Sequence, residues 1–404
     1  MDCEKISDKF SGIQWGSGNE SFHRCKKLDF QPPHQREFVK ARRARYPSLS
    51  TLMDDQTTSE HTPWMRRALE EAEKGIGLTS PNPCVGSVVV KDGVELGAGW
   101  HHRAGQPHAE REALADVLAK HGPEAARGAT IYVTLEPCST TGKTPPCTQG
   151  IIDAGITRVV YGAVDPNPDH AGAADLLLQG LGIDVISGIE REACESILRP
   201  FAKRVTTGLP WVLAKTAMSL DGRITRPPGE GQWLTGPAAR NEVQKIRGEA
   251  DAIIVGGRTV RIDNPRLTIR GPHFREEKEQ PWRVVITQDG KQTLPEDCHL
   301  LSDEYAHRTV VYQDKEPEEI LRDLAAQGCN CVMLECGGRL MRRFAELDLI
   351  DEYAIFYAPI ITGGEDFGFG AGGHLPASRQ LEEISVKQLE QDVLIRGIAK
   401  RKIR

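Results

Sequence analysis

Two α/β domains in succession are what this 404-residue chain predicts. Three observations lead there. The length exceeds one average domain and suits two or three. Short apolar runs rich in β-branched residues alternate with helix-type segments, the pattern of layered α/β sandwiches. That alternation halts over 199–210, a mixed-charge stretch that reads as a linker, and then restarts. With 39% apolar and 27% charged residues, the chain can bury ordinary cores.

Residues 1–53 read differently from the rest. Ten Lys/Arg stand against six Asp/Glu, with scattered Gly, Ser and Pro. This predicts a disordered extension. Its basic run over 36–45 is open to reading as a transit peptide or a contact patch. A solvated tail, or a start at Met53, is the preferred reading.

Order is expected from Thr62-Pro63, an N-cap followed by proline at the first helical position, to Gly75. Residues 85–90 read as a strand, and Asp92-Gly93 as a hairpin turn into 94–100. A helix over 107–120, a strand over 129–135, a helix over 147–154 and a strand over 158–163 follow. A helix over 173–180 and a strand over 184–187 close the first domain.

Beyond the linker, 211–218 reads as a strand, and Thr235 caps a helix over 237–247. Further strands are expected over 252–255, 283–287, 309–312, 331–335 and 351–361, with helices over 316–327 and 340–347. No internal repeat of 20–50 residues is present.

The formal charge of −6 argues against broad binding to nucleic acid, which needs basic surface. No apolar run approaches the roughly 18 residues that would span a bilayer. Ten cysteines without a signal-peptide pattern point to a reducing cytoplasm, with any special cysteines holding metal.

The clearest chemical signal is His108-Ala109-Glu110, then Glu136-Pro137-Cys138, then Cys147. One imidazole and two thiolates leave a fourth zinc position for water, the composition of a catalytic rather than a closed structural site. Zinc lowers the pKa of bound water to about 7. Glu110, two residues from His108, lies close enough to shuttle protons. Cys147 opens a helix, where the dipole favours a thiolate. Gly142-Lys143-Thr144 is no phosphate loop, because position 137 is Pro where that motif needs Gly. Cys84 reads as a small buried strand residue rather than a fourth ligand.

The pattern resembles the zinc nucleobase deaminases, except that eight residues separate the two cysteines. The stretch from Pro137 to Cys147 resembles the first half of the bifunctional riboflavin-biosynthesis deaminase–reductases. So do Pro81-Asn82-Pro83-Cys84-Val85-Gly86 and Asp165-Pro166-Asn167-Pro168. The resemblance implies that Asn82, Lys143, Asp165 and Asn167 surround the pyrimidine and its ribose phosphate. Thr140 departs from the histidine often found there, which bears on base recognition.

In the second domain no G-x-G-x-x-G follows a strand, so a Rossmann fold is not supported. Three stretches stand out instead. They are Lys215 to Arg223, Ile254 to Thr259 with Asp263-Asn264-Pro265 behind, and Glu335 to Leu340. The pair Gly337-Gly338 before a helix suits close approach to a pyrophosphate, or equally a tight helix-entry turn.

In this order the three stretches are similar to the reductase half of the same family, which implies a dihydrofolate-reductase-like fold and NADPH. The first half correspondingly implies a cytidine-deaminase-like three-layer sandwich. The match covers roughly 65–404. Carried over by position, Ala217, Trp233, Thr259, Asp263 and Gly337, Gly338, Arg339, Leu340, Met341, Arg342 and Arg343 would line the cofactor. Lys215, Gly231, Arg247, Leu267, Arg270 and Glu335 would face the ribose phosphate, with Arg247 and Arg270 able to give bidentate bonds. Gly231 departs from a common serine. Trp233 is also open to a core role, Arg247 to complementing a helix dipole, and Glu335 to a solvated strand end. Arg258 is open to the cofactor's 2′-phosphate or to a surface role.

The expectation is a disordered 1–53, a zinc deaminase domain over 54–206 and an NADPH-dependent reductase domain over 207–404. The partners expected are a small-molecule pyrimidine ribose phosphate and a second copy of the chain in a homo-oligomer, with no nucleic acid and no membrane. Two rivals are a monofunctional reductase with a scaffold deaminase domain, supported by Thr140 alone, and a nucleic-acid editing deaminase. The charge and the 6% aromatic content disfavour the second.

Overall fold

A computed structural model describes residues 55–140, 145–167, 170–287, 294–370 and 374–400. The expectations for 1–53 and for Lys143 lie outside the described residues. The first sheet has the order β2-β1-β3-β4-β5, from β1 (Gly86–Lys91), β2 (Val94–Trp100), β3 (Thr130–Leu135), β4 (Arg158–Ala163) and β5 (Asp184–Ser187). The strands β1 and β2 form an antiparallel hairpin. Its turn residues Asp92 and Gly93 both take positive φ, as a two-residue hairpin turn requires. The strands β3, β4 and β5 run parallel, and β3 and β4 carry the nearly continuous apolar residues of strands covered on both faces, while β5 is the half-exposed edge.

The helices α1 (Asp55–Glu73) and α5 (Arg191–Thr207) pack on one face. The other face carries α2 (Ala109–His121), α3 (Cys147–Asp153) and α4 (Ala173–Gly180). This is a three-layer sandwich, with Met65, Val89, Ile131, Val159 and Leu178 fully buried in its core.

Two readings from the sequence are corrected here. The first helix begins at Asp55 and carries Pro63 inside it rather than at its start. Pro63 cannot donate to the carbonyl four residues earlier, but Ser59 is exposed, so water can hydrate that group. The stretch read as a linker is the end of α5, which contains Pro200. Its mixed charge reflects partners in the second half of the chain. Arg199 meets Glu383 at 2.5 Å, and buried Lys203 meets buried Asp351 at 2.5 Å.

The second sheet has eight strands in the order β12-β13-β11-β6-β10-β7-β8-β9. They are β6 (Trp211–Ser219), β7 (Ala252–Gly256), β8 (Trp282–Thr287), β9 (Thr309–Gln313), β10 (Cys331–Leu334), β11 (Glu352–Ala358), β12 (Leu381–Leu389) and β13 (Asp392–Ala399). From β11 to β9 all neighbours are parallel, and β12–β13 adds an antiparallel edge hairpin. The helices α6 (Pro237–Glu249), α7 (Gly257–Asp263), α8 (His299–Ser302), α9 (Pro317–Ala326) and α10 (Gly338–Glu346) complete the domain. One core lies between the sheet and α9 and α10, around Ile320, Leu324, Met341 and Phe344. The other lies under α6, around Val243, Ile246, Ile253 and Phe356. The C-terminal hairpin escaped the sequence reading because β12 is exposed along nearly its whole length and only Ile384 and Val386 alternate in it.

Asp351 Oδ2 also accepts the backbone N–H of Val212 at 2.7 Å, so its pair with Lys203 joins α5 to the second sheet. Removing one partner of a buried pair strands the other charge. Lys203→Met is expected to lower the unfolding free energy by about 3–5 kcal/mol. Adding Asp351→Asn to it should recover part of that loss. Urea unfolding of the two variants checks both.

Candidate active sites

The first site sits at the carboxyl end of β3, beside parallel β4. His108 precedes α2 in extended conformation, Cys138 lies in the loop after β3, and Cys147 begins α3. His108 Nδ1 is 3.6 Å from Cys138 Sγ and 3.3 Å from Cys147 Sγ. All three donor atoms fall within 4.8 Å of one another, and among the described residues no other group of three such donors does so. Bonds of about 2.0 Å to nitrogen and about 2.3 Å to sulfur at a tetrahedral ion put neighbouring donors about 3.5 Å apart. The triad therefore fits zinc.

The three groups share protons. Hydrogen bonding from the Cys147 thiol, with help from His108, brings Cys138 below the ordinary thiol range against the cost of burial. The same shared bond and burial hold Cys147 up, and the bond to Cys138 raises His108. A dication takes the place of such protons. Glu110, 3% exposed, has its carboxyl pushed up by burial, with His108 pulling the other way. A buried carboxyl beside a metal triad is suited to exchanging protons. Cys84 stands apart from the triad. Its sulfur is 3.3 Å from Thr79 Oγ1, and burial pushes its thiol up to about 11.

Three residues that the sequence reading missed organise this site. Buried His101 has Nδ1 2.9 Å from the Pro107 carbonyl, which can only accept, so Nδ1 carries the proton. Burial keeps the ring neutral, and Nε2 then accepts from Asn82 Nδ2 at 3.0 Å. This leaves the side-chain oxygen of Asn82 for a ligand. Buried Glu136 accepts the backbone N–H groups of Asp165, Gly172 and Ala174 at 3.3, 3.0 and 3.2 Å, pinning the loop after β4. In that loop Asp165 Oδ1 accepts from the Asn167 N–H at 2.8 Å. Finally, Thr140 Oγ1 lies 3.2 Å from His170 Nδ1, so an imidazole stands beside the position where the sequence lacks one. Only Glu136 had a visible signal, since it sits in the Glu136-Pro137-Cys138 run. The other two are lone histidines in no recognisable motif.

The second site lies at the carboxyl ends of β6, β7 and β10, the usual ligand side of a parallel sheet. Glu335, the first residue after β10, accepts from Arg247 Nε and Nη2 at 3.0 Å each and from Lys215 Nζ at 3.3 Å. Burial pushes its carboxyl up, but Arg247 and Lys215 outweigh this and hold it at about 2. Glu335 is therefore not a solvated strand end. The Arg247 fork, read in the sequence as phosphate-binding, grips Glu335 instead, and its Nη1 donates to the Thr268 carbonyl at 2.9 Å. Arg270 stays exposed. Burial and the nearby cations Arg247 and Arg266 depress its pKa, a crowding of like charge that an anion relieves. The side chain of Leu267 is buried and its φ is +52°, so only its backbone can face a ligand. Gly231 has φ +91°, where a serine would be strained.

Among the cofactor candidates, a Cβ on Gly337 would meet only Thr259 Oγ1, at 3.7 Å, which leaves an open cradle between α7 and α10. Exposed Asp263 ends α7, and Ala217 lies half-buried on β6. Trp233 is 59% exposed, with Arg240 over its ring, so it is not core. Arg258 is exposed and 3.9 Å from Asp366. Other positions differ from the expectation. A Cβ on Gly338 would fall 2.0 Å from the Phe367 carbonyl oxygen, so its bare Cα admits the chain's own loop. Met341 is fully buried, while Arg342 and Arg343 pair with Glu346 and Glu316 at 2.8 Å each. Leu340 is half-buried and Arg339 exposed.

The fold and these two sites define a zinc-dependent deaminase fused to a reductase. Residues 58–163 match the cytidine and deoxycytidylate deaminase zinc-binding region, and residues 210–395 match the RibD C-terminal domain. The chain is 36% identical over 360 residues to the riboflavin biosynthesis protein RibD of Haemophilus influenzae, covering 83% of this chain and 94% of that protein. It is 37% identical over 339 residues to RibD of Escherichia coli, covering 76% and 89%. The solved structure of Acinetobacter baumannii RibD superimposes with a TM-score of 0.77 at 34% identity, covering 85% of this chain and all of that one. The chain belongs to the RibD family, the bifunctional deaminase–reductases of riboflavin biosynthesis. Its cofactors are zinc and NADPH.

Glu335 carries a stability prediction. A carboxylate with a depressed pKa stabilises the fold above its unfolded pKa and loses that contribution as pH falls through the folded one. Glu335→Gln is expected to cost on the order of 2 kcal/mol at neutral pH. The gap to the parent protein should close as pH drops from 4.5 toward about 2, followed by denaturant midpoints across that range.

Proposed function

We propose that the first domain, over 54–206, hydrolyses the amine of 2,5-diamino-6-ribosylamino-4(3H)-pyrimidinone 5′-phosphate. The second, over 207–404, then reduces the ribose of the product to give 5-amino-6-(5-phosphoribitylamino)uracil. The observation that carries this reading is the convergence of His108, Cys138 and Cys147 beside buried Glu110, on one chain with the Glu335 cleft.

His108, Cys138 and Cys147 would hold zinc, which when bound supplies a nucleophile at neutral pH by acidifying water. Glu110 takes up the proton that water loses and returns protons to the departing nitrogen, so that ammonia leaves as the carbon–oxygen bond forms. Asn82 offers its side-chain oxygen to the pyrimidine, an orientation supported by the His101 tautomer. Asp165 and Asn167 approach from the loop that Glu136 pins, with Lys143 assigned to the phosphate. His170 supplies the ring that Thr140 lacks.

In the reductase cleft NADPH supplies hydride when bound. Ala217, Trp233, Thr259, Asp263 and the backbone from Gly337 to Leu340 would hold it. Arg270, with Arg266, takes the ribose phosphate, and Glu335 keeps the Lys215 ammonium in place. Binding fixes the nicotinamide against the sugar carbon.

No helix among the described residues is long and apolar enough to cross a membrane. The eight described cysteines are unpaired, which supports a reducing cytoplasm. A homo-oligomer is supported by the edge strand β12, which exposes Ile384 and Val386.

Mass spectrometry of the product mixture tests the reading. Without NADPH the substrate should exchange its amine for oxygen and release ammonia. With NADPH the product should gain two further hydrogens. Glu110→Gln should slow deamination by about 10²–10⁴-fold with zinc retained and reduction of the deaminated substrate intact. Deamination that survives this change would defeat the mechanism.

A further inference from the structure

The segment from Lys74 to Asn82 leads from α1 into β1 and ends on the asparagine assigned to the pyrimidine. Its backbone N–H groups bond locally, but several of its other polar groups are met by the second domain and by the end of α5. Lys278, only 9% exposed, donates to the carbonyls of Gly77, Gly248 and Ala250 at 2.7, 2.7 and 2.9 Å, spending all three ammonium protons. Asp251 Oδ2 accepts from Ser80 Oγ at 2.9 Å and from the N–H groups of Asn330 and Cys331 at 2.8 and 2.9 Å. Arg204 donates to the Pro81 carbonyl at 2.7 Å and to Asn330 Oδ1 at 2.6 Å.

The last link is the most telling. Asn330 Nδ2 donates to the backbone carbonyl of Asn82 at 3.1 Å. The Asn82 side chain donates in turn to His101, which donates to Pro107, the neighbour of His108. Asn330 thus stands at the head of a relay that passes through Asn82, whose carbonyl it shares with Thr79 Oγ1, also at 3.1 Å. That relay begins in the reductase domain and ends one residue from a zinc ligand.

We propose that Asn330 is a positioning residue for deamination. Its amide fixes the Asn82 backbone and thereby the direction in which the Asn82 side-chain oxygen faces the pyrimidine. Arg204 and Asp251 hold Asn330 in the one orientation that presents its N–H group. A binding group must be held to within a fraction of an ångström to work, and a supporting hydrogen bond is how folds achieve this. The inference rests on the reading of Asn82 as a substrate residue.

The test uses the full-length zinc-loaded enzyme and Asn330→Asp, which keeps an oxygen for Arg204 but loses the donor to Asn82. The KM of the aminopyrimidine in deamination should rise about tenfold, the worth of one lost hydrogen bond, with a smaller effect on kcat. Zinc content, and the reductase kcat/KM on the deaminated substrate, should stay at parent values. Asn82→Ala should move KM in the same direction, and the double variant should add little to it. Should Asn330→Asp fail to fold, Arg204→Met removes the bonds to Pro81 and Asn330, and the same split between the two activities is expected.

An unchanged deamination KM in the Asn330 variant, with a raised one in Asn82→Ala, overturns the positioning role and leaves the Asn82 assignment standing. An unchanged KM in Asn82→Ala overturns that assignment and this inference with it. Parallel loss of both activities marks a merely structural residue and also overturns the proposal.

Discussion

Three donor atoms from three separate elements have to meet at tetrahedral spacing, and much of the first domain is arranged around that demand. His108 comes from the residue before α2, Cys138 from the loop after β3 and Cys147 from the start of α3. Their separations of 3.3 and 3.6 Å are set by the sheet and helix packing. A shift of one element by a helical turn, about 5.4 Å, would destroy the geometry. Burial raises the Glu110 carboxyl beside these donors, with His108 pulling the other way.

The reductase cleft obeys a related constraint with different chemistry. Its centre is a carboxylate, Glu335, neutralised by Arg247 and Lys215. That arrangement commits Arg247 to the fold, while Arg270 nearby stays exposed. Charge that looks available in the sequence is partly committed inside the fold, and only the uncommitted remainder can meet a substrate.

How much of this was legible follows from how local each signal is. The zinc donors and Glu110 stand in short runs whose residue types already specify the chemistry, and the structure brings them together. The central strands β4, β7 and β10 read almost to their ends because parallel strands covered on both faces are continuous apolar runs. Other features depend on partners far along the chain. The end of α5 resembled a linker because Lys203 and Arg204 find Asp351 and Asn330 more than a hundred residues away. His101, His170 and Asn330 carry no motif at all. Met341 and Gly338 fell inside a plausible binding run, yet one fills the core and the other makes room for a neighbouring loop.

The strand β10 is only four residues long, with Asn330 just before it and Glu335 just after it. Five residues of extended chain span roughly 17 Å. One rigid rod therefore braces the asparagine loop of the deaminase at its tail and carries the central acid of the reductase at its tip. Splitting such a gene into two free-standing enzymes would take more than a cut between the halves. Each fragment would need new chemistry to cap the surface that the other had been supplying, which gives the fusion a physical reason to persist.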